Sequence, residues 1–259
     1  MTPPHPFDLT GRLALVTGGG GGLGLAIARG LAAAGARIVI NGRNRAKLDA
    51  AAAVLERDGG EAGSVKVAPF DVADADAVAT GIAAIERDFG ALDIVVNNAA
   101  VNKRGPLDEF TPDEWHALLA ANLDGPFYVA KSVVTGMKAR RRGKIINICS
   151  LASEIGRPNI VPYATSKGGL QMMTRALAVE LAPFNVQVNG IAPGFFKTDM
   201  NAPLVANAEF SAWVASRTPA GRWGEPPEIA GAAVFLASAA ADYVTGHVLF
   251  VDGGFSVSY

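Results

Sequence analysis

The sequence predicts a single α/β domain, with a seven-stranded parallel sheet and helices on both faces of the sheet. Seven short runs rich in Val and Ile do not alternate with polar residues, which is typical of strands buried on both sides. Helical segments lie between these runs, and this alternation predicts β-α-β units with right-handed crossovers. The predicted strands are Leu13–Thr17, Arg37–Asn41, Val65–Phe70, Asp93–Asn97, Lys144–Cys149, Gln187–Ile191 and His247–Val251.

The helices are predicted from apolar residues that recur at helical spacing. They are Leu23–Ala34, Asn44–Arg57, Ala73–Phe89, Pro112–Arg140, Tyr163–Ala182 and Pro226–Ala237. Since no linker or repeat divides the chain, residues 1–259 are predicted to form one unit, with about residues 1–8 as a loose tail. Residues 195–222 break the rhythm of strands and helices, and they predict a mobile helical lid over a site. An inert surface insertion is the alternative for this segment.

Composition excludes several classes of protein. The net charge is −1, so no global field favours nucleic acid or an anionic membrane surface, and no apolar stretch is long enough to span a bilayer. The three histidines and the single cysteine, Cys149, form no metal-ligand spacing, so no metal site is expected. The start of the chain lacks the basic and apolar regions of a signal peptide, so a cytoplasmic protein is expected.

A glycine-rich loop, residues 17–24, joins the first predicted strand directly to the first helix. Glycines allow the tight turn and the close approach of a pyrophosphate, and the helix N-terminus supplies oriented N–H donors. A flexible glycine-rich loop would be the simpler interpretation, but the strand before it and the amphipathic helix after it are the context that the motif requires. The loop therefore predicts dinucleotide binding on a Rossmann fold.

The end of the second strand bears on the choice of cofactor. A site for NAD usually places a carboxylate there, whereas this chain has Asn41-Gly42-Arg43-Asn44. Arg43 can pair with a 2′-phosphate by charge-assisted hydrogen bonds. We therefore expect NADP(H), with NAD(H) kept as the alternative because Arg43 could instead be a solvated loop residue.

Several further motifs give the chain a resemblance to the short-chain dehydrogenase/reductase family from about Leu9 to the C-terminus. They are Thr17-Gly18-x-x-x-Gly22-x-Gly24, Asp71-Val72, Asn97-Asn98-Ala99-Ala100, Asn122, Ser150, Tyr163-x-x-x-Lys167, and Pro193-Gly194 followed by Thr198. Two departures stand out: Ala100 replaces the usual glycine, and the glycine loop lacks the basic residue common in members that prefer NADP. The second departure leaves Arg43 as the main expected ligand of a 2′-phosphate.

The resemblance implies roles for individual residues. Asn122, Ser150, Tyr163 and Lys167 would be catalytic, with Asn122 helping to bind a water that connects Lys167 to solvent. Asp71 would bind the adenine with Val72 beside it, Asn97 and Ala99 would line the adenosine ribose, and Thr198 would hold the nicotinamide carboxamide. The other implied cofactor contacts are Gly18, Gly22, Leu23, Gly24, Arg43, Asn98, Tyr163, Lys167, Pro193 and Gly194. Members of the family are usually homotetramers assembled through the helices predicted over 112–140 and 163–182 and the C-terminal strand, so a homotetramer is expected.

The chemistry of Tyr163 and Lys167 also follows from their spacing. Two residues four apart on a helix share a face. A free tyrosine has a pKa of about 10, so it is a poor base near neutral pH. We expect the Lys167 ammonium to lower that pKa, so that Tyr163 exchanges a proton with an alcohol or ketone while Ser150 steadies the substrate oxygen. Alone, this pair could also be an ordinary surface contact between helix residues.

A closer resemblance concerns the substrate. The segments Lys144–Glu154, Ile191–Thr198 and Arg217–Gly224 are similar to gluconate 5-dehydrogenases, also called 5-keto-gluconate reductases, which implies a sugar acid. A carboxylate substrate needs a cationic clamp, and Lys103, Arg104, Arg157 and Lys197 are the candidates, with Arg104 favoured. Glu154 is expected to accept hydrogen bonds from substrate hydroxyls.

Two other functions remain open from the sequence. A 3-oxoacyl-carrier-protein reductase, or another carbonyl reductase, would share the fold and the catalytic residues. It would also need a basic outer surface for its acidic carrier, and the sequence shows no clear one. A catalytically inactive NADP sensor is the alternative that is not an enzyme. The presence of both Tyr163 and Lys167 argues against that alternative.

Overall fold

The computed structural model describes residues 5–58 and 65–258, and it confirms the predicted sheet. Seven parallel strands lie in the order β3-β2-β1-β4-β5-β6-β7. The order reverses between β1 and β4, so the carboxyl ends of these two strands open a crevice, where ligands bind in sheets of this type. The strands are β1 Leu13–Thr17, β2 Arg37–Gly42, β3 Val65–Pro69, β4 Ile94–Asn97, β5 Gly143–Ile148, β6 Val186–Pro193 and β7 Val248–Val251.

The helices follow the predicted positions, except that one predicted helix is divided and that the seventh and eighth helices lie in the segment predicted to be a lid. They are α1 Gly22–Ala33, α2 Arg45–Arg57, α3 Ala75–Phe89, α4 Pro112–Leu119, α5 Gly125–Arg140, α6 Val161–Leu181, α7 Ala202–Val205, α8 Ala208–Arg217 and α9 Ala230–Ala237. The single helix predicted over 112–140 is divided by a π-helical turn, Ala120–Asp124. Such turns occur most often at functional sites.

The sheet is buried on both faces because neighbouring residues of each strand point to opposite sides. In β1, Ala14 and Val16 belong to one apolar cluster, and Leu13 and Leu15 belong to another. The first cluster includes residues of α1, α2 and α9, and the second includes residues of α3, α5 and α6. This arrangement explains why the strands read as unbroken apolar runs.

The N-terminal segment is attached to the domain from His5 onward, whereas the first four residues of the predicted tail lie outside the described part of the chain. The Pro6 carbonyl accepts a hydrogen bond from Ala240 N, and the Phe7 ring lies 6.4 Å from that of Phe235. Across the described ranges, no helix is both long and apolar enough to cross a membrane.

Candidate active site

The glycine loop after β1 has a shape that only glycine permits at two positions. Gly18 has φ 64°, and a Cβ there would lie 2.9 Å from the Ala99 Cα atom. A Cβ on Gly24 would lie 2.3 Å from the Gly18 carbonyl oxygen, which is far inside van der Waals contact. The first turn of α1 therefore packs directly against the end of β1 and the segment after β4.

Asn98 holds this loop in place from the segment that follows β4. Its side-chain Nδ2 donates to the carbonyl oxygens of Thr17 (2.9 Å) and Gly18 (3.2 Å). In return, the backbone N–H groups of Asn98 and Ala99 donate to the Thr17 hydroxyl, each at 3.0 Å. Asn98 thus holds the glycine loop in shape. The resemblance implied only that Asn98 contacts the cofactor.

A cavity of about 330 Å³ opens between the glycine loop and the ends of β4, β5 and β6. No side chain caps the N-terminus of α1, and its first turn holds no acidic residue. These N–H groups are thus available to an anion, since helix N-termini bind phosphates. The cavity reaches from Gly22 to Tyr163 and Lys167, so its residues fit a pyrophosphate at one end and a nicotinamide at the other.

The residues after β6 form the other wall of the cavity. Pro193, Gly194 and Thr198 line it, as predicted, and the Thr198 side chain lies beside Gly22. Thr198 precedes a short helical turn, but its side chain makes no capping hydrogen bond there. Its hydroxyl is therefore available to a ligand.

Arg43 and Asp71 meet at the far edge of the sheet, where the sequence predicts the adenosine end of the cofactor. An Arg43 guanidinium nitrogen lies 3.7 Å from Asp71 Oδ2, and 72% of the Arg43 side chain is exposed. The other oxygen of Asp71 accepts a hydrogen bond from Ala73 N. Val72 is buried against Gly125. The exposed guanidinium can turn to a 2′-phosphate without leaving a buried carboxylate unpaired.

Asn97 lies behind the cavity wall, unlike its neighbours Asn98 and Ala99. It is 3% exposed, and its Nδ2 donates to Asn147 Oδ1 at 2.9 Å. Asn147 in turn donates to the Thr174 hydroxyl, so the amides link β4, β5 and α6. The side chain of Asn97 is therefore turned into the sheet, and only its backbone stays available for the predicted contact with the adenosine ribose.

Tyr163, Lys167 and Ser150 come together at the carboxyl end of β5. The Tyr163 phenol shares a hydrogen bond with the Ser150 side chain. The Lys167 Nζ atom lies 5.9 Å from the centre of the Tyr163 ring and donates to the Ile148 carbonyl at 2.6 Å. All three side chains line the cavity, so a substrate oxygen can contact the phenol and the Ser150 hydroxyl together.

Burial is the main influence on the pKa values of Tyr163 and Lys167. Burial raises the pKa of the Tyr163 phenol, while the Ser150 hydrogen bond and the Arg104 cation offset part of the rise. Burial also lowers the pKa of Lys167 to about 8. The Lys167 ammonium is directed to Ile148, and the nearby cation that acts on the phenol is Arg104, so a lowering of the Tyr163 pKa by Lys167 stays a prediction.

Asn122 lies in the π-helical turn and is fully buried. Its side-chain oxygen accepts from Val101 N (2.8 Å), and its Nδ2 donates to Val101 O and to the Ser166 hydroxyl. Ser166 in turn donates to the Tyr163 carbonyl. Asn122 therefore ties the segment after β4 to the first turns of α6, and a water would have to use its backbone, since these contacts occupy its side chain.

The four cations proposed for a substrate carboxylate divide into two pairs. Arg104 and Arg157 line the cavity, and neither has an ion-pair partner among the described residues. Lys103 instead binds Glu114, and Lys197 binds Glu225. Both guanidiniums therefore line the same cavity as the Tyr163 phenol, and Arg104 also acts on the pKa of that phenol.

Glu154 does not reach the cavity, which corrects the expectation that it contacts substrate hydroxyls. Its carboxylate accepts a hydrogen bond from Gln171 and lies 3.7 Å from a guanidinium nitrogen of Arg175. Both partners lie on α6, so the side chain is turned toward that helix. No spacing in the sequence distinguishes this direction from the opposite one.

An aromatic cluster beside the cavity was not identified from the sequence. The Phe195 ring lies 5.2–5.9 Å from the rings of Phe210, Trp213, Trp223 and Phe255. Phe210 and Trp213 belong to α8, inside the segment predicted to be a lid. The sequence does show several aromatic residues after β6. It does not show which rings pack together, because the partners come from distant parts of the chain.

The family model described as "Enoyl-(Acyl carrier protein) reductase" matches residues 19–256. The chain is 48% identical to the gluconate 5-dehydrogenase of Gluconobacter oxydans, over 100% of both chains. It is 46% identical to the 5-keto-D-gluconate 5-reductase of Escherichia coli K12, over 97% of this chain and 98% of that one.

Solved structures show the same likeness. A gluconate 5-dehydrogenase from Burkholderia cenocepacia, solved in complex with NADP and tartrate, superposes with a TM-score of 0.94. It is 51% identical and the match covers 98% of each chain. Fold, family and cofactor-binding architecture therefore agree across sequence and structure.

Proposed function

This chain belongs to the short-chain dehydrogenase/reductase family, and on that premise we propose that it interconverts D-gluconate and 5-keto-D-gluconate with NADP(H). It is an NADP-dependent oxidoreductase that acts on CH–OH groups. The observation that carries the choice of substrate is the pair Arg104 and Arg157. Two guanidiniums without ion-pair partners in the described chain face the cavity that holds Tyr163, and they favour an anionic substrate.

Tyr163 is proposed as the proton donor and acceptor. In the oxidation direction, its phenolate accepts the hydroxyl proton of the substrate, and in the reduction direction its phenol returns that proton to the carbonyl oxygen. Ser150, which shares a hydrogen bond with the phenol, steadies the same substrate oxygen. Bound NADP(H) supplies the hydride acceptor or donor. Arg104 lowers the pKa of the phenol and so makes the phenolate more accessible.

The remaining residues are proposed to bind and position. Lys167 would hold the nicotinamide ribose, and Thr198 would hold the carboxamide, since both line the cavity. Gly18, Gly22, Leu23 and Gly24 would surround the pyrophosphate at the N-terminus of α1.

At the adenosine end, Arg43 is the proposed ligand of the 2′-phosphate. Its support is that the guanidinium is exposed and that no carboxylate stands at the end of β2. Asp71, which already contacts Arg43, is the proposed partner of the adenine.

The segment 195–222 is proposed to act as a lid. It contributes Phe195, Thr198 and Met200 to the cavity wall, and α8 lies within it. Movement of this segment would expose or cover the substrate end of the site.

The substrate is tested by following NADPH oxidation with 5-keto-D-gluconate and, in parallel, with an acetoacetyl carrier thioester. We expect turnover of the sugar acid and none of the thioester. Turnover of the thioester alone would instead identify a carrier-protein reductase. An absence of turnover on both, with NADPH still bound, would support an inactive sensor.

We propose a homotetramer as the assembly. Large apolar side chains are exposed on the helices that the family uses for contacts, with Phe127 on α5 and Met172 and Val179 on α6. Light scattering coupled to gel filtration should give four times the 26.7 kDa mass of the chain. A mass of one chain would contradict this assembly.

A cytoplasmic location is proposed from the single cysteine. Cys149 is buried as a free thiol, and burial raises its pKa to about 11, so the chain gains nothing from an oxidising compartment. Fractionation of cells should recover the protein with cytoplasmic marker enzymes. Its recovery with another compartment would contradict the proposal.

A further inference from the structure

Arg157 lies against three aromatic rings. Its guanidinium carbon is 5.5 Å from the ring centres of Phe195, Phe210 and Trp213. The rings come from the segment after β6 and from α8, whereas Arg157 lies in the loop between β5 and α6. Each distance is within the range of a cation–π contact. The aromatic rings therefore hold a cation in one position at the edge of the cavity.

This setting makes Arg157 a strong ligand for an anion. The residue is half-buried and lines the cavity, and no carboxylate in the described chain pairs with it. Burial and the nearby Arg104 cation both lower the pKa of Arg157, because each disfavours a second positive charge there. A bound carboxylate would relieve that unfavourable interaction, and a guanidinium can form paired hydrogen bonds with it.

The two cavity arginines have different neighbours. Arg104 interacts electrostatically with Tyr163, whereas the Arg157 guanidinium lies among the rings of Phe195, Phe210 and Trp213. In gluconate, the carboxylate carbon and the reacting C5 are separated by four C–C bonds of about 1.5 Å each, so the two groups lie about 5 Å apart in an extended chain. Since Arg104 acts on the phenol, the acid group is assigned to the other guanidinium of the cavity, Arg157.

We propose that Arg157, held by the aromatic rings of the lid, binds the substrate carboxylate and makes the enzyme specific for acids over uncharged polyols. The proposal deepens the proposed function and rests on it for the identity of the substrate. Arg104 then lies beside Tyr163 and interacts with the reacting oxygen of the substrate. Trp213 is a positioning residue, because it acts on the substrate only through Arg157.

The test compares D-gluconate with D-gluconamide, which has nearly the same shape but no charge. Both are titrated by calorimetry into the protein saturated with NADPH, in which neither alcohol can react. We expect gluconate to bind the wild-type protein about tenfold to a hundredfold more tightly, as for a charge-assisted contact. Arg157→Gln should bring that ratio to within about twofold by weakening gluconate alone. Lys66→Gln removes another cation that lies over a ring, that of Phe89, and should leave the ratio unchanged.

Two further variants separate recognition from a general loss of structure. Arg157→Lys keeps the charge without the planar fork, so we expect an intermediate ratio. Trp213→Leu should lower the ratio about tenfold, whereas Trp213→Phe, which keeps a ring over the guanidinium, should restore most of it.

Three results would overturn the proposal. They are equal binding of the two ligands to the wild-type protein, a ratio that survives in Arg157→Gln, and a ratio that is lost in Arg104→Gln instead. If Arg157→Gln abolishes the ratio but the wild-type protein does not oxidise gluconate with NADP, the assignment of Arg157 stands and the proposed reaction fails.

Discussion

Replacing Asn98 with alanine would test whether the protein holds the glycine loop in shape before a dinucleotide binds. The substitution removes two hydrogen bonds from Asn98 Nδ2, one to Thr17 O (2.9 Å) and one to Gly18 O (3.2 Å). The backbone N–H groups of residues 98 and 99 can still donate to the Thr17 hydroxyl. The loop therefore loses its side-chain support while the ends of β1 and β4 stay in contact.

The magnitude follows from the two lost bonds. Each contributes about 1 kcal/mol net, so the ordered loop is destabilised by about 2 kcal/mol. If binding NADPH must restore that order, the dissociation constant rises about 30-fold. The same free energy lowers the melting temperature by about 4–8 °C in a domain of this size.

The assay is a fluorescence titration with NADPH, together with a thermal melt of each protein. Asn189→Ala is the matched control, because Asn189 is 1% exposed and also makes two hydrogen bonds to the backbone. Its Nδ2 donates to Val244 O (2.8 Å), and its Oδ1 accepts from His247 N (3.0 Å), at a place remote from the cavity wall. We expect both variants to melt at a lower temperature, but only Asn98→Ala to bind NADPH weakly.

The reasoning would be refuted by either of two results. An Asn98→Ala protein that binds NADPH within about threefold of wild type would show that Asn98 does not preorganise the loop. An equal loss of affinity in Asn189→Ala would show that affinity follows global stability instead.

Three other changes address the proposed roles directly. Tyr163→Phe should abolish turnover and leave NADPH affinity within about threefold, as judged by steady-state rates and titration, because only the proton-transfer group is lost. Arg43→Asp should shift the ratio of kcat/KM values toward NAD by at least about tenfold, and an unaltered ratio would count against Arg43. Arg104 lowers the pKa of Tyr163, so Arg104→Gln should raise that pKa. The rising limb of the pH profile for gluconate oxidation should then move to higher pH, whereas a profile that stays in place would remove Arg104 from the reacting group.

The sheet and the glycine loop could be predicted because their signals are local. Strands buried on both faces need unbroken apolar runs, and those runs coincide with the observed strands to within a few residues. The π-helical turn at Ala120–Asp124 could not be found in this way. It depends on Asn122 bonding to the backbone of Val101, which is 21 positions away.

The substrate end could be predicted only in part, because long side chains can turn in several directions. Arg104 and Arg157 reach the cavity, but Lys103 is drawn away by Glu114. Glu154 is likewise drawn to two residues of α6. Partners of this kind come from separate elements, so they are known only once the helices have packed.

Tyr163 shows why correct spacing does not determine protonation. The four-residue spacing placed Lys167 beside the phenol, yet the ammonium donates to Ile148 and burial raises the phenol pKa. The Arg104 cation, which comes from outside that helix, offsets part of the rise. If Arg104 acts at the reacting end, the acid group of a substrate is left to a second cation. Arg157 is the proposed one, so on this proposal the protonation of Tyr163 and the recognition of the acid depend on two arginines that share one cavity.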